Sequence, residues 1–155
     1  MKQNGSSLIE LLVVIAIIGV LLTIATINFR DWSMRYNIES QVNEMYVDFA
    51  NARIKATSRN RPHFINLSPD RYTVTEDSDN NGTMEDTDTM IIEKKVKNPL
   101  NWAGADELSF DSRGLASLNK TVSVSNTVSA SYDCISVSIT RIGIGKMIGG
   151  SCAAK

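Results

Sequence analysis

Hydrophobic positions along the chain fall into two regimes. From Leu8 to Ile27, twenty residues carry a single charge, Glu10. As a helix this run rises about 30 Å, the thickness of a bilayer's hydrocarbon core. A cleavable secretory signal would have a basic leader, a shorter apolar run and a small-residue cleavage site after it. Here Lys2 is the only early basic residue, and the run passes through Phe29 and Trp32 into an amphipathic pattern. The pattern predicts a membrane helix that stays attached, with Lys2 on the cytoplasmic side by the positive-inside tendency. Phe29, Trp32, Tyr36, Val42, Met45, Phe49, Ala52 and Ala56 then follow near-helical spacing on one face. Arg30, Arg35, Glu39, Glu44, Asp48, Arg53 and Lys55 fill the rest. Pro62 marks the stop, because it disfavours helical geometry at Arg61. One helix is therefore expected from Ser6 to about Ser58.

Beyond Pro62 the period changes to two. Phe64–Leu67 and Tyr72–Thr75 flank a turn-like Ser68-Pro69-Asp70-Arg71, and Met90–Val96 is a third strand candidate. Glu107–Phe110 and Leu115–Leu118 flank a second turn, Asp111-Ser112-Arg113-Gly114. Thr121–Ser125 and Cys134–Thr140 alternate strictly, as half-buried strands do. The expected class is α+β: a long N-terminal helix, membrane-spanning in its first half, packed by its second half on a C-terminal antiparallel β-sheet domain. The divisions read as residues 6–27 for the transmembrane and assembly helix, 28–61 for its amphipathic second half, and 62–155 for a β-rich head.

Composition adds a little. The formal net charge is −1, so bulk electrostatics do not suggest a nucleic-acid binder. Two cysteines, Cys134 and Cys152, lie outside the apolar run. They fit a disulfide in an oxidising compartment, closing a loop of about 18 residues worth on the order of 3 kcal/mol. The alternative is two unpaired thiols in a reducing cytosol. No Cys/His spacing suggests zinc.

Glu10 is the odd residue of the apolar run. A carboxylate inside such a helix costs about 2.5–3.5 kcal/mol on insertion scales. Either it sits at headgroup level and stays wet, or it neutralises a positive charge in the membrane or in an assembly. The stretch Gly5-Ser6-Ser7-Leu8-Ile9-Glu10-Leu11-Leu12-Val13-Val14-Ile15-Ala16-Ile17-Ile18-Gly19-Val20-Leu21 resembles the prepilin signal of type IV pilins and type II secretion pseudopilins. That resemblance implies a pilin fold and residues 1–5 as a leader. It also implies cleavage by a prepilin peptidase between Gly5 and Ser6, with methylation of Ser6. Glu10 then falls at the fifth mature position and pairs with the N-terminal ammonium of a neighbouring subunit. The implied partners are other pilins or pseudopilins, the inner membrane and the assembly platform of a pilus or secretion system. The implied location is the bacterial inner membrane, single-pass, with the C-terminal domain outside the cytoplasm. Two positions depart from the pattern. Ser6 stands where most members have Phe, and Ile27 stands where many have Pro, so no proline imposes a kink there. The helix end Asn51-Ala52-Arg53-Ile54-Lys55-Ala56, the Phe110-x-x-x-Gly114 turn and Arg141-Ile142-Gly143 make the layout resemble the GspH/FimT subgroup of minor pilins and pseudopilins.

Two further clusters offer chemistry. Between Asp77 and Asp88, oxygen ligands recur at the spacing of a calcium loop: Asp77, Asp79, Asn81, the Thr83 carbonyl, Glu85 and Asp88, with Gly82 at the sharp turn. Asp88 is shorter than the glutamate usual at the last place, and the flanks are strands. A solvated acidic hairpin tip is the alternative. Arg53, Lys55, Arg59 and Arg61 gather at the helix C-terminus, where the dipole favours cations. Some FimT-like minor pilins bind DNA through a Gly-Arg-x-Arg-like element. Here Arg141 precedes its glycine and no second Arg follows, leaving Arg141, Lys146 and Lys155 as candidate phosphate contacts. His63 is the single histidine, and no nucleophile elbow, phosphate loop or metalloprotease motif is present, so an enzyme is not expected.

Overall fold

The computed structural model describes residues 7–154, apart from the side chains of residues 24–28. Lys2, the leader with Gly5 and Ser6, the Ile27 side chain and Lys155 therefore lie outside the described residues. One helix, α1 (Leu8–Arg59), is followed by nine strands among the described residues. The chain divides into two compact units, one through Met34 and one from Arg35 onward.

In the first unit the helix opens on Ser7, whose carbonyl accepts from the N–H groups of Glu10 at 2.9 Å and Leu11 at 3.3 Å. The apolar side chains of Leu8 to Leu22 are exposed. Among the described residues no helix is long and apolar enough to cross a membrane.

In the second unit α1 buries Ile38, Val42, Met45, Phe49, Ala52 and Ala56, a stripe spaced three and four residues apart. The stripe expected from the sequence began earlier. Phe29, Trp32 and Tyr36 are instead 66%, 62% and 62% exposed. The six-residue step from Tyr36 to Val42 turns the helix by about 240°, so these aromatics and the buried stripe do not share a face. The helix ends where Asn60 takes a left-handed φ of 53° and Arg61 N–H bonds the Ala56 carbonyl at 3.2 Å. This is a Schellman-type cap with Asn where Gly is commoner, followed at once by Pro62.

The strands are β1 (His63–Ser68), β2 (Arg71–Glu76), β3 (Thr89–Lys95), β4 (Leu100–Trp102), β5 (Glu107–Phe110), β6 (Lys120–Val124), β7 (Cys134–Val137), β8 (Ile142–Ile148) and β9 (Ser151–Ala154). They form two antiparallel sheets, ordered β3-β2-β1-β5 and β4-β6-β7-β8-β9. β1 and β2 pair from His63↔Glu76 to Ser68↔Arg71 around Pro69-Asp70. Ile65, Leu67, Tyr72, Val74, Leu108 and Phe110 of the first sheet join Leu100, Val122, Val124, Ile135 and Val137 of the second in the core with the helix stripe. Phe49 meets Tyr72 edge-on, with ring centroids 5.9 Å apart. The Tyr72 hydroxyl donates to Asp48 at 2.6 Å, and Lys94 pairs with both Asp48 and Glu44 at 2.8 Å. Gln41 clasps Asn98 from both ends of its amide.

Two strand expectations change. Leu115–Leu118 is not a strand, since only Ala116 bridges to Phe110. The Asp111 carboxylate captures the N–H groups of Arg113 and Leu115, which curls the chain. Gly114, at φ 76°, lies so close to α1 that a Cβ would sit 2.8 Å from Thr57 Cγ2. β7 ends at Val137 because Ser138 and Arg141 close a turn on each other.

Candidate functional site

At the N-terminal end, Glu10 lies exposed in the first turn of α1, where the helix dipole favours a carboxylate. Its proposed counterpart, the amine of Ser6, falls outside the described residues.

The acidic segment forms the β2–β3 connection. Asp77 is fully buried and accepts from the backbone N–H groups of Asn81 at 3.2 Å and Gly82 at 2.8 Å. Asp88 accepts from those of Ser78 at 3.0 Å and Glu85 at 2.9 Å. Gly82 adopts φ 81°, and Asn80 is also left-handed at φ 61°. Carboxylate oxygens of Asp77, Asp79 and Asp88 lie within 4.8 Å of one another. Three of the six expected ligands thus converge and could hold a metal ion. The donors are all carboxylate oxygens, which suits a hard cation. Asn81 Oδ1 is turned to Thr83, and Glu85 Oε1 accepts from Asn81 Nδ2 at 3.1 Å. Those two side chains brace the loop.

The basic helix end fastens this region. Arg59 pairs with Glu76, and Arg61 donates to the Ser78 carbonyl. Their role is more specific than the dipole preference read from sequence. Between them lies His63, fully buried, with Nδ1 3.1 Å from the Arg61 carbonyl. A carbonyl only accepts, so Nδ1 carries the proton. Nε2 is then a bare lone pair, without a hydrogen-bond partner among the described residues, 3.8 Å from Glu76 Oε2. Burial lowers the His63 pKa from 6.5, and the charges of Arg59 and Lys55 act in the same direction. The Arg61 hydrogen bond and Glu76 oppose that shift without cancelling it. The unfolded chain then binds a proton near pH 6.5 that the folded chain refuses, so stability is lost as pH falls below 6.5. A melting series from pH 8 to 5 should show this decline, and His63→Asn should flatten it. An equal decline in the variant would assign the effect to other groups.

Cys134 on β7 and Cys152 on β9 are bonded, with Cα atoms 6.0 Å apart. These strands flank β8, and in a flat sheet they would be roughly 10 Å apart. The sheet bends over Gly145, where a Cβ would lie 2.2 Å from the Ala153 carbonyl oxygen and 2.9 Å from Cys152 Sγ. Glycine at 145 makes room for the bridge.

Comparison with known proteins decides the family. The model of the prokaryotic N-terminal methylation motif matches residues 1–26, and that of the type II transport protein GspH matches residues 41–143. The chain belongs to the GspH family. No curated protein matches its sequence. A solved structure, the type IV minor pilin FimU of Pseudomonas aeruginosa PAO1, is similar in fold. The TM-score is 0.56 at 14% identity, covering 73% of this chain and 91% of that one. A GspH-family chain is a pilin-like structural subunit, not an enzyme.

The GspH match takes in the buried helix stripe from Val42 onward and the acidic loop but stops before Lys146 and Cys152. Of the candidate DNA contacts, Lys146 is occupied: its Nζ donates to Ser129 Oγ at 2.7 Å and to the Ala130 carbonyl. Arg141 precedes β8, five residues or about 17 Å along an extended chain from Lys146.

Proposed function

We propose that this GspH-family chain is a minor pilin or pseudopilin, anchored in the inner membrane by residues 6–27 and assembled into a type IV pilus or type II secretion pseudopilus. The methylation-motif match over residues 1–26 carries this reading, because it spans the helix surface whose apolar side chains, Leu8 to Leu22, are exposed. Prepilin peptidase cuts between Gly5 and Ser6, and Ser6 is methylated. Glu10 meets the new ammonium of a neighbouring subunit, where a broken pair would strand a charge in an apolar bundle. Residues 28–61 link this segment to the head, residues 62–155. Intact mass of membrane-extracted protein is expected to show loss of Met1–Gly5 and gain of one methyl group. A full-length mass in cells with active prepilin peptidase would exclude this processing.

Calcium is the cation we assign to the acidic loop, on the convergence of Asp77, Asp79 and Asp88. At a hundredfold excess over Kd, one bound ion stabilises by about 2.7 kcal/mol. Calcium should raise the melting temperature of the full chain relative to chelator, and Asp79→Ala, at an exposed position, should abolish the rise. An unchanged melt in the parent protein counts against the ion.

A further inference from the structure

Phe29 and Trp32 stand three residues apart on α1 and so share a face, with ring centroids 6.0 Å apart. Both rings are largely exposed, as is Arg30 beside them. Tryptophan concentrates at membrane–water boundaries because its ring is apolar and its indole N–H polar. The unbroken helix from Leu8 to Phe29 rises about 31 Å, close to the hydrocarbon thickness. Arg30 is the first charged residue after Glu10, so the apolar run ends at this level.

We propose that Phe29 and Trp32 seat the unassembled subunit at the outer lipid–water boundary, with Arg30 reaching lipid phosphates. The inference rests on the membrane reading above. It has a consequence at the other end of the helix. Glu10 is 22 residues before Trp32, about 33 Å along the axis, which puts it at the inner boundary. There its carboxylate keeps its water, and the cost of burying it is deferred until the subunit leaves lipid for its neighbours.

The test compares the full-length wild-type protein with Trp32→Phe in phospholipid vesicles brominated near the headgroup end or near the tail end of the acyl chain. Trp102 contributes the same background to both proteins. The wild-type-minus-variant emission is expected to be blue-shifted and quenched most by the headgroup-end bromines. Strongest quenching by tail-end bromines, or none from either lipid (as when a second subunit covers the pair), overturns the placement. Sedimentation of the same samples separates the two levels. Protein that does not pellet with vesicles overturns the membrane reading, and the placement with it. Protein that pellets without quenching overturns the placement alone.

Discussion

Phe49→Ala is expected to cost about 3–5 kcal/mol of folding stability. Phe49 is fully buried at the centre of the helix stripe, and its ring meets the edge of Tyr72. Truncation removes its own apolar burial and the aromatic pair, and it leaves a void that close-packed neighbours fill only in part. It also loosens the wall behind Tyr72, whose hydroxyl holds the buried Asp48 carboxylate. A loss of that size is a large share of the about 5–15 kcal/mol a domain has. Urea unfolding followed by tyrosine and tryptophan signals reads it as a lower midpoint. Ile54→Ala, on the exposed face of the same helix, should stay within about 0.5 kcal/mol and controls for helix propensity. A Phe49→Ala loss below about 1 kcal/mol would mean that helix and sheets are not packed as described.

Removing the disulfide, as Cys134→Ala with Cys152→Ala, should cost about 3 kcal/mol, the loop-closure value for its length. Alanine lacks only the sulfur at each position, so the pair of alanines removes little volume even though Cys134 is buried and Cys152 partly so. The expected lesion is local. Amides of β8 and β9 should lose most of their hydrogen-exchange protection, while those of β1 and β2 lose only what the global destabilisation dictates. Unchanged stability in the double variant would mean that the bend over Gly145 holds without its bridge.

Much of this fold is legible in the residues because local chemistry and tertiary packing agree. Asn60-Arg61-Pro62 both caps and stops α1. Pro69-Asp70 turns β1 into β2, and Val122, Val124, Ile135 and Val137 alternate inward from the second sheet. β8 and β9 were hidden because Gly143, Gly145, Gly149 and Gly150 interrupt the side-chain alternation that marks a strand. β4 is three residues long, too short for any period to show. Leu115–Leu118 reads as a strand from its place after a turn, yet the Asp111 turn fixes its backbone instead. The acidic loop was legible as a cluster, but not the depth of Asp77, which is sealed under its own loop rather than solvated at a tip. Phe29 and Trp32 repeat the three- and four-residue spacing of the core stripe but stand one residue out of its heptad register, so the sequence itself puts them on another face.

The covalent tie across β8 also changes how the head yields to tension. Extended chain spans about 3.4 Å per residue, so the 18 residues from Cys134 to Cys152 would otherwise release about 60 Å on being pulled out. With the tie in place that length is withheld, and a load reaching the C-terminal strands passes from β7 to β9 through sulfur.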